Sequence, residues 1–185
     1  MQTNEQCIVI GISGGSGSGK STFCSNLARA LDQQLNVKTI EMDDYFKKVK
    51  PEVNAPYNRA QYDDYDHPNS VDINKLNIDL VNFISSKKFD VIIIEGLMVL
   101  YFDEIRDKLN LKLFVECPSD ERLVRRLKRD NDKFTFDEIT SKYLDLVRHR
   151  HNEFIEPTKW HADFIINGSN PTQTSLDAVC TWVLN

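Results

Sequence analysis

Residues 14–21 read Gly-Gly-Ser-Gly-Ser-Gly-Lys-Ser, with four glycines, a lysine and a closing hydroxyl in eight positions. Glycine reaches backbone angles closed to other residues, so such a loop can turn its N–H groups inward around an anion. A helix that follows aims its free N–H groups and its partial positive charge at the same point. Gly14, Gly15, Ser16, Gly17, Ser18 and Gly19 would then cradle phosphates. Lys20 would reach the β- and γ-phosphates and Ser21 would complete the shell of a Mg²⁺ ion, with Thr22 beside it on the first helical turn. The pattern carries weight only with a strand before it and a helix after it. Cys7-Ile8-Val9-Ile10 suits a short buried strand, and Phe23, Leu27, Ala30 and Leu31 recur at helical spacing. A flexible Gly/Ser linker would hardly stand between two apolar periodic segments and end in Gly-Lys-Ser.

Two carboxylates stand where chemistry on a phosphate would need them. Asp43, just past the strand-like run 37–42, could take a proton from a substrate hydroxyl or hold Mg²⁺ through water. Asp44 is equally acidic, and spacing alone does not separate the two; a solvated acidic turn is the plainer reading of both. Glu95 follows Val91-Ile92-Ile93-Ile94 and is costly to bury at a strand end without a partner. Beside a phosphate loop that partner is Mg²⁺; elsewhere it would be a salt bridge or a helix cap.

Arg122, Arg125, Arg126 and Arg129 fall at i, i+3, i+4 and i+7, within an arc of roughly 100° on one helical face, with Leu123, Val124 and Leu127 opposite. A solvated face usually mixes signs, and four guanidiniums repel unless anions stand between them. One or more should therefore touch transferred phosphates, or be neutralised by acids from elsewhere in the fold. His149 and His151 are two apart and face away from each other on a helix, which argues against a metal site. Asp63-Asp64-Tyr65-Asp66-His67-Pro68 reads by itself as a solvated turn.

The elements that must position these groups alternate in type. Strand-like runs at 7–10, 37–42, 91–94, 111–116 and 164–166 are separated by helical patterns after the glycine loop, at 72–88, from Ser119, from Thr135 to about His151 and at 176–184. Ser119, with Asp120 and Glu121 after it, reads as a helix start, and Thr135-Phe136-Asp137-Glu138 has capping-box spacing. Residues 47–70, with Pro51, Pro56 and Pro68 and no apolar period, read as a long loop of the kind that is usually functional or disordered. The alternation predicts an α/β fold, a five-stranded and mostly parallel sheet with helices on both faces. Ligands sit at the carboxyl ends of such strands, where the glycine loop, Asp43 and Glu95 all fall.

The 185 residues predict a single domain, 1–185, with a sizeable core and no need of disulfides or metals. Net charge −5 argues against general nucleic-acid binding. No basic opening with an apolar core precedes the first strand and no run approaches membrane-spanning length, so a cytoplasmic protein without a membrane partner is expected. Four cysteines without CxxC pairing read as reduced thiols. The sequence leaves the number of copies open, a homo-oligomer included.

Two classes of phosphate-loop protein compete: a small-molecule kinase and a nucleotide switch or ATPase. A guanine-reading switch would need Asn-Lys-x-Asp, and Asn74-Lys75-Leu76-Asn77 fails at its last position and lies in a helical pattern. The chain also resembles the uridine/cytidine kinases of the phosphoribulokinase–uridine kinase group, whose P-loop NTPase fold matches the expected sheet. The likeness runs through Gly-Gly-Ser-Gly-Ser-Gly-Lys-Ser, Met-Asp-Asp-Tyr-Phe at 42–46, Tyr-Asp-His-Pro at 65–68, Ile-Glu-Gly-Leu at 94–97, the arginine run 122–130, and Phe-Ile-Glu-Pro-Thr-Lys-Trp-His-Ala-Asp at 154–163. The resemblance implies transfer of the γ-phosphoryl group of ATP, or of GTP as the other candidate donor, with Mg²⁺, to the 5′-hydroxyl of a small-molecule nucleoside. On it Asp43 matches the general base and Asp66 the carboxylate that grips the ribose hydroxyls. Phe46 and His67 line the acceptor, Ser21, Glu95 and Asp43 surround Mg²⁺, and Lys20, Arg126 and Arg129 act on the phosphates, Arg126 also on the acceptor. It makes 47–70 a substrate-binding loop and 130–134 a short lid, where Lys133 stands in place of the usual further arginines.

One departure concerns the acceptor directly. Uridine kinases carry a base-reading hairpin between the second helix and the third sheet strand, whereas here Ser85-Ser86-Lys87-Lys88-Phe89-Asp90 joins them. Nicotinamide riboside or another small alcohol therefore stands beside uridine and cytidine as an acceptor.

Overall fold

A computed structural model of the chain describes residues 7–55 and 60–185. The opening segment and Pro56, in the middle of the expected loop, lie outside the described residues. In chain order the elements are β1 (Ile8–Ser13), α1 (Lys20–Leu31), β2 (Val37–Glu41), a short hairpin of β3 (Glu52–Asn54) and β4 (Gln61–Asp63), α2 (Ile73–Ser85), β5 (Val91–Glu95) and α3 (Asp103–Arg106). There follow β6 (Leu111–Glu116), α4 (Ser119–Asp130), α5 (Phe136–Lys142), the single turn α6 (Arg148–Arg150), β7 (Phe164–Asn167) and α7 (Gln173–Leu184).

The five expected strands form one sheet in the order β2-β5-β1-β6-β7, and every neighbouring pair is parallel. Alternation along the strands feeds two cores. Ile10, Ile12, Val91, Ile93 and Leu113 face α1 and α7 and pack on Phe23, Leu27, Leu31, Val179 and Val183. Val9, Ile92, Ile94 and Phe114 face the other way, onto Leu76 and Leu80 of α2 and onto Met98 and Ile105. Each such side chain contributes roughly 1.5–3 kcal/mol by leaving water, which is why the central strands read as unbroken apolar runs. The register sets Ile12 and Glu41 level with Glu95, so three strand ends reach one edge together.

Two expectations are corrected. The stretch 47–70 is not loop throughout: β3 and β4 pair antiparallel, with Val53 opposite Tyr62, and Pro68–Ser70 forms a 3-10 turn. Its strands are three residues each, too short to show a period of two. The helix from Thr135 also does not end near His151. It runs on as π-helical turns at Tyr143–Val147 and His151–Ile155, with α6 between them, and closes in the 3-10 segment Glu156–His161. The buried residues Ile139, Tyr143, Val147, His151 and Ile155 recur every fourth position. A regular α-helix would rotate that stripe by about 40° at each step, and the wider i→i+5 turns take up the drift.

Smaller differences lie at the ends. Ser119 is the first residue of α4 rather than its cap, a place taken by Pro118 without a side-chain bond. The Thr135 capping box is present, and Asp72 caps α2 by accepting from the Lys75 N–H. The four cysteines are unpaired thiols. Among the described residues no helix is long and apolar enough to cross a membrane.

Candidate active site

The glycine loop joins β1 to α1 at the carboxyl edge of the sheet. Gly17 and Gly19 adopt positive φ of 85° and 97°. A side chain on Gly17 would also meet the carbonyl oxygen of Arg122 at 2.7 Å, so that position is closed twice over to other residues. Gly19 caps α1, leaving the first N–H groups of that helix free for an anion. A cleft of about 490 Å³ opens here, bounded by Gly17, Lys20, Thr22, Arg125, Arg129 and Gly168 among others.

α4 turns its arginine face inward. Arg122 is 3% exposed, whereas Val124 on the apolar side is 48% exposed, the reverse of an ordinary amphipathic helix. The arginines divide into two pairs. Arg122 donates through Nε to the Cys117 carbonyl at 3.0 Å and lies behind Gly15. Arg125 donates to the carbonyls of Gly17 and Ser18, both at 3.3 Å, and of Gly168 at 2.9 Å. These two hold the loop from outside. Arg126 donates to Ser16 Oγ at 2.8 Å and keeps a buried Nε without a hydrogen-bond partner. Arg129 makes a two-point contact with Asp130, at 2.8 and 2.9 Å, at the mouth of the cleft. Periodicity showed one arginine face; only the packing separates the bracing pair from the pair open to a ligand.

Glu95 closes β5 and is 7% exposed. Its Oε1 accepts from Ser21 Oγ at 2.9 Å, while Oε2 stands 3.9 Å from Lys20 Nζ and is buried without a hydrogen bond. Burial raises the Glu95 carboxyl above the ordinary range and the Lys20 charge opposes the shift. Asp43 sits in the 3-10 turn Met42–Tyr45, anchored by buried Met42, and its charge acts on both Glu95 and Arg129. The Asp44 charge acts on Tyr45 instead. Among the described residues no three His, Cys, Asp or Glu side chains gather as a metal site. The donors present, a hydroxyl and an orphaned carboxylate oxygen beside a phosphate loop, fit Mg²⁺, which takes one or two carboxylates and completes its shell with phosphates and water.

The acidic stretch separates into distinct roles. Asp64 is fully buried and its Oδ2 pairs with Arg150 Nε at 2.7 Å, while its Oδ1 accepts the Asp66 N–H at 3.2 Å. Asp66 is 5% exposed and forms no ion pair among the described residues. Burial pushes its carboxyl up to about 6 even though the charges of Arg126, Lys142 and Lys20 pull it down. His67 accepts the Asn69 N–H at 3.0 Å and packs edge-on against Phe154, with ring centres 5.1 Å apart. Phe46 meets Tyr65 edge-on at 5.3 Å.

The Glu-Pro-Thr-Lys run supports the loop from the side of Arg122. His151 is buried with Nδ1 toward Gly15, and its Nε2 bonds Glu156 at 3.2 Å. Glu156 also holds Lys159, which reaches Glu116 at 3.3 Å. Burial, with the Arg122 charge, drives His151 down to about 4, so it is neutral at ordinary pH.

A parallel sheet in this order, with a glycine loop bracketing a helix N-terminus and a carboxylate beside its serine, defines a P-loop NTPase fold. The structure resembles the shikimate kinase of Acinetobacter baumannii complexed with shikimate, at TM-score 0.58 and 13% identity, over 97% of this chain and 94% of that one. The chain belongs to the Phosphoribulokinase / Uridine kinase family, whose model matches residues 9–90 and 81–175. Similar curated proteins include a uridine kinase of Clostridium tetani, 34% identical over 93% of this chain and 92% of that protein. A uridine kinase of Clostridium botulinum (strain Kyoto / Type A2) is 33% identical over 92% of each.

Proposed function

We propose that the protein transfers the γ-phosphoryl group of ATP to the 5′-hydroxyl of a ribonucleoside, with uridine and cytidine as acceptors. The observation that carries this reading is Asp66: a buried carboxylate without an ion pair among the described residues, under the charges of Arg126 and Lys20. Such a group repays its burial when two adjacent hydroxyls donate to it, as a ribose 2′,3′-diol does. The names of the relatives point to the same acceptor.

In the reaction, the Asp43 carboxylate takes the proton of the 5′-hydroxyl as that oxygen bonds the γ-phosphorus. The bond from that phosphorus to the β–γ bridging oxygen breaks and ADP leaves with the electron pair. Lys20, Arg126 and Arg129 stabilise the charge on the transferring group. Mg²⁺, when bound, neutralises phosphate charge and orients the donor; Ser21 and Glu95 would hold it, with Asp43 nearby. The stretch 47–70 serves as the acceptor loop and 130–134 as a short lid of one kinase domain spanning 1–185.

The test is ADP release by the purified protein with ATP and Mg²⁺ against nucleosides, nicotinamide riboside and sugars. Turnover on uridine and cytidine is expected. Turnover on none, with hydrolysis stimulated by a protein or nucleic acid, would move the chain to the switch class.

A further inference from the structure

The connection from α2 to β5 leaves the acceptor's base without the reader that its relatives' hairpin would provide. α2 ends at Ser85, Lys87 turns in the left-handed region at φ 54°, and Asp90 accepts from the Asn36 N–H and Nδ2 at 2.7 and 2.9 Å. This tight turn lies at the start of β5, a full strand length of about 16 Å from Glu95. Nothing in it can reach the site.

We propose that the base is read instead by Tyr62 of β4, Phe134 of the α4–α5 connection and Lys142 of α5, and that these residues select a neutral, carbonyl-bearing base over a cationic one. This rests on the nucleoside-kinase reading above. The three residues line one cavity of about 500 Å³, with room for a nucleobase, and Arg126 lines it with them. Arg126 also touches Ser16 of the glycine loop at 2.8 Å, so the cavity adjoins the phosphate side through one guanidinium. Its unpartnered Nε and the charge it exerts on Asp66 tie the same wall to the ribose carboxylate.

The wall is built on the hairpin. Tyr62 Oη donates to Asp145 at 3.2 Å, and Lys142 Nζ donates to the Asp63 carbonyl at 3.2 Å, 5.9 Å from the Tyr62 ring centre. Phe134 is 54% exposed, an aromatic face suited to stacking on a base. The carboxylates around the cavity are largely committed: Asp130 to Arg129, and Glu138 to the Thr135 N–H and Oγ1 at 2.7 and 2.8 Å. Bonding leaves those charges in place, so Asp130, Asp137 and Glu138 stand beside Arg126 and Lys142 and the lining as a whole is not cationic. Selection is therefore local: Lys142 and Arg126 offer N–H donors to the ring carbonyl oxygens of a pyrimidine, and a pyridinium ring carries no acceptor for them.

The experiment compares kcat/KM for uridine and for nicotinamide riboside in the wild type and in Lys142→Met, Lys142→Gln and Phe134→Ala. The wild type should favour uridine. Lys142→Met should cut kcat/KM for uridine at least tenfold with KM for ATP unchanged, narrowing the ratio, and Lys142→Gln, which keeps N–H donors, should recover most of it. Phe134→Ala, at an exposed ring, should raise KM for uridine severalfold and carries the test if Lys142→Met melts early. A ratio within twofold of wild type in Lys142→Met, or an unaltered KM for uridine in folded Phe134→Ala, would overturn the proposal while leaving the kinase reading intact. A wild type that phosphorylates no nucleoside would instead remove the acceptor reading on which it stands.

Discussion

The donor and acceptor sides of the cleft are built on opposite plans. On the proposed donor side one continuous segment carries the groups for the work, because backbone N–H groups and a helix end are placed to bind phosphate and the side chains add Lys20 and Ser21. The acceptor side, as proposed, draws Asp43 from a turn after β2, Asp66 from the segment before α2, Arg126 from α4 and Lys142 from α5. A backbone site is written in consecutive residues; a side-chain site is assembled by packing. The same contrast runs along α4, where Arg122 and Arg125 support the donor loop while Arg126 and Arg129 face ligand space.

The largest effect should follow from Lys20→Ala, which removes the charge on the transferring group from the donor side: kcat in a coupled ADP assay should fall by about a thousandfold or more. Full activity in that variant would break the donor side of the comparison. Asp43→Asn should lower kcat by roughly 10²–10⁴-fold with nucleotide affinity retained, as measured by equilibrium titration with ATP. Near-normal turnover would remove Asp43 as base and return Asp44 to consideration.

Asp66→Ala should raise KM for the nucleoside on the order of a hundredfold and leave KM for ATP within about twofold. Equal rises for both substrates would mean that the two sides are not separable. The carboxyl also links binding to pH. Its folded value of about 6 lies above the ordinary 3.8, so ionising it costs stability. The penalty is absent below the unfolded value, grows as pH rises through the window between the two, and is complete above about 6. Asp66→Asn should therefore stabilise the protein at pH 8 by on the order of 3 kcal/mol, with the gain fading toward pH 4, as read in denaturant melts. In the wild type, KM for the nucleoside should rise as pH falls through about 6, because the protonated carboxyl accepts fewer hydroxyls.

The smallest effect expected is that of Arg125→Met. It removes three bonds to the carbonyls of Gly17, Ser18 and Gly168, so KM for ATP should rise about tenfold with KM for the nucleoside unchanged. A change in the nucleoside KM instead would show that the brace serves both sides.

Legibility in the sequence follows the same division. The sheet strands were readable because Val91-Ile92-Ile93-Ile94 and its partners are buried on both faces, and the donor loop because glycine spacing carries its own geometry. The β3–β4 hairpin was not, since three-residue strands show no period. The helix after Thr135 was misjudged in length, because a stripe of period four fits neither an α-helix nor a strand. Within the acidic stretch, residue type gave no reason to prefer Asp66 over Asp64. Arg150, eighty-six positions away from Asp64, pairs with that carboxylate and not with Asp66.

Composition, periodicity and the run at 14–21 determined by themselves the α/β sheet, its order of elements and the phosphate loop, because each depends on neighbours in the chain. Which carboxylate of the acidic stretch pairs with Arg150, and which arginines brace the loop and which face the cleft, were settled by tertiary packing. Those properties depend on burial and on the charge of residues far apart in sequence, and a pKa raised by burial belongs to a place in the fold rather than to a residue type.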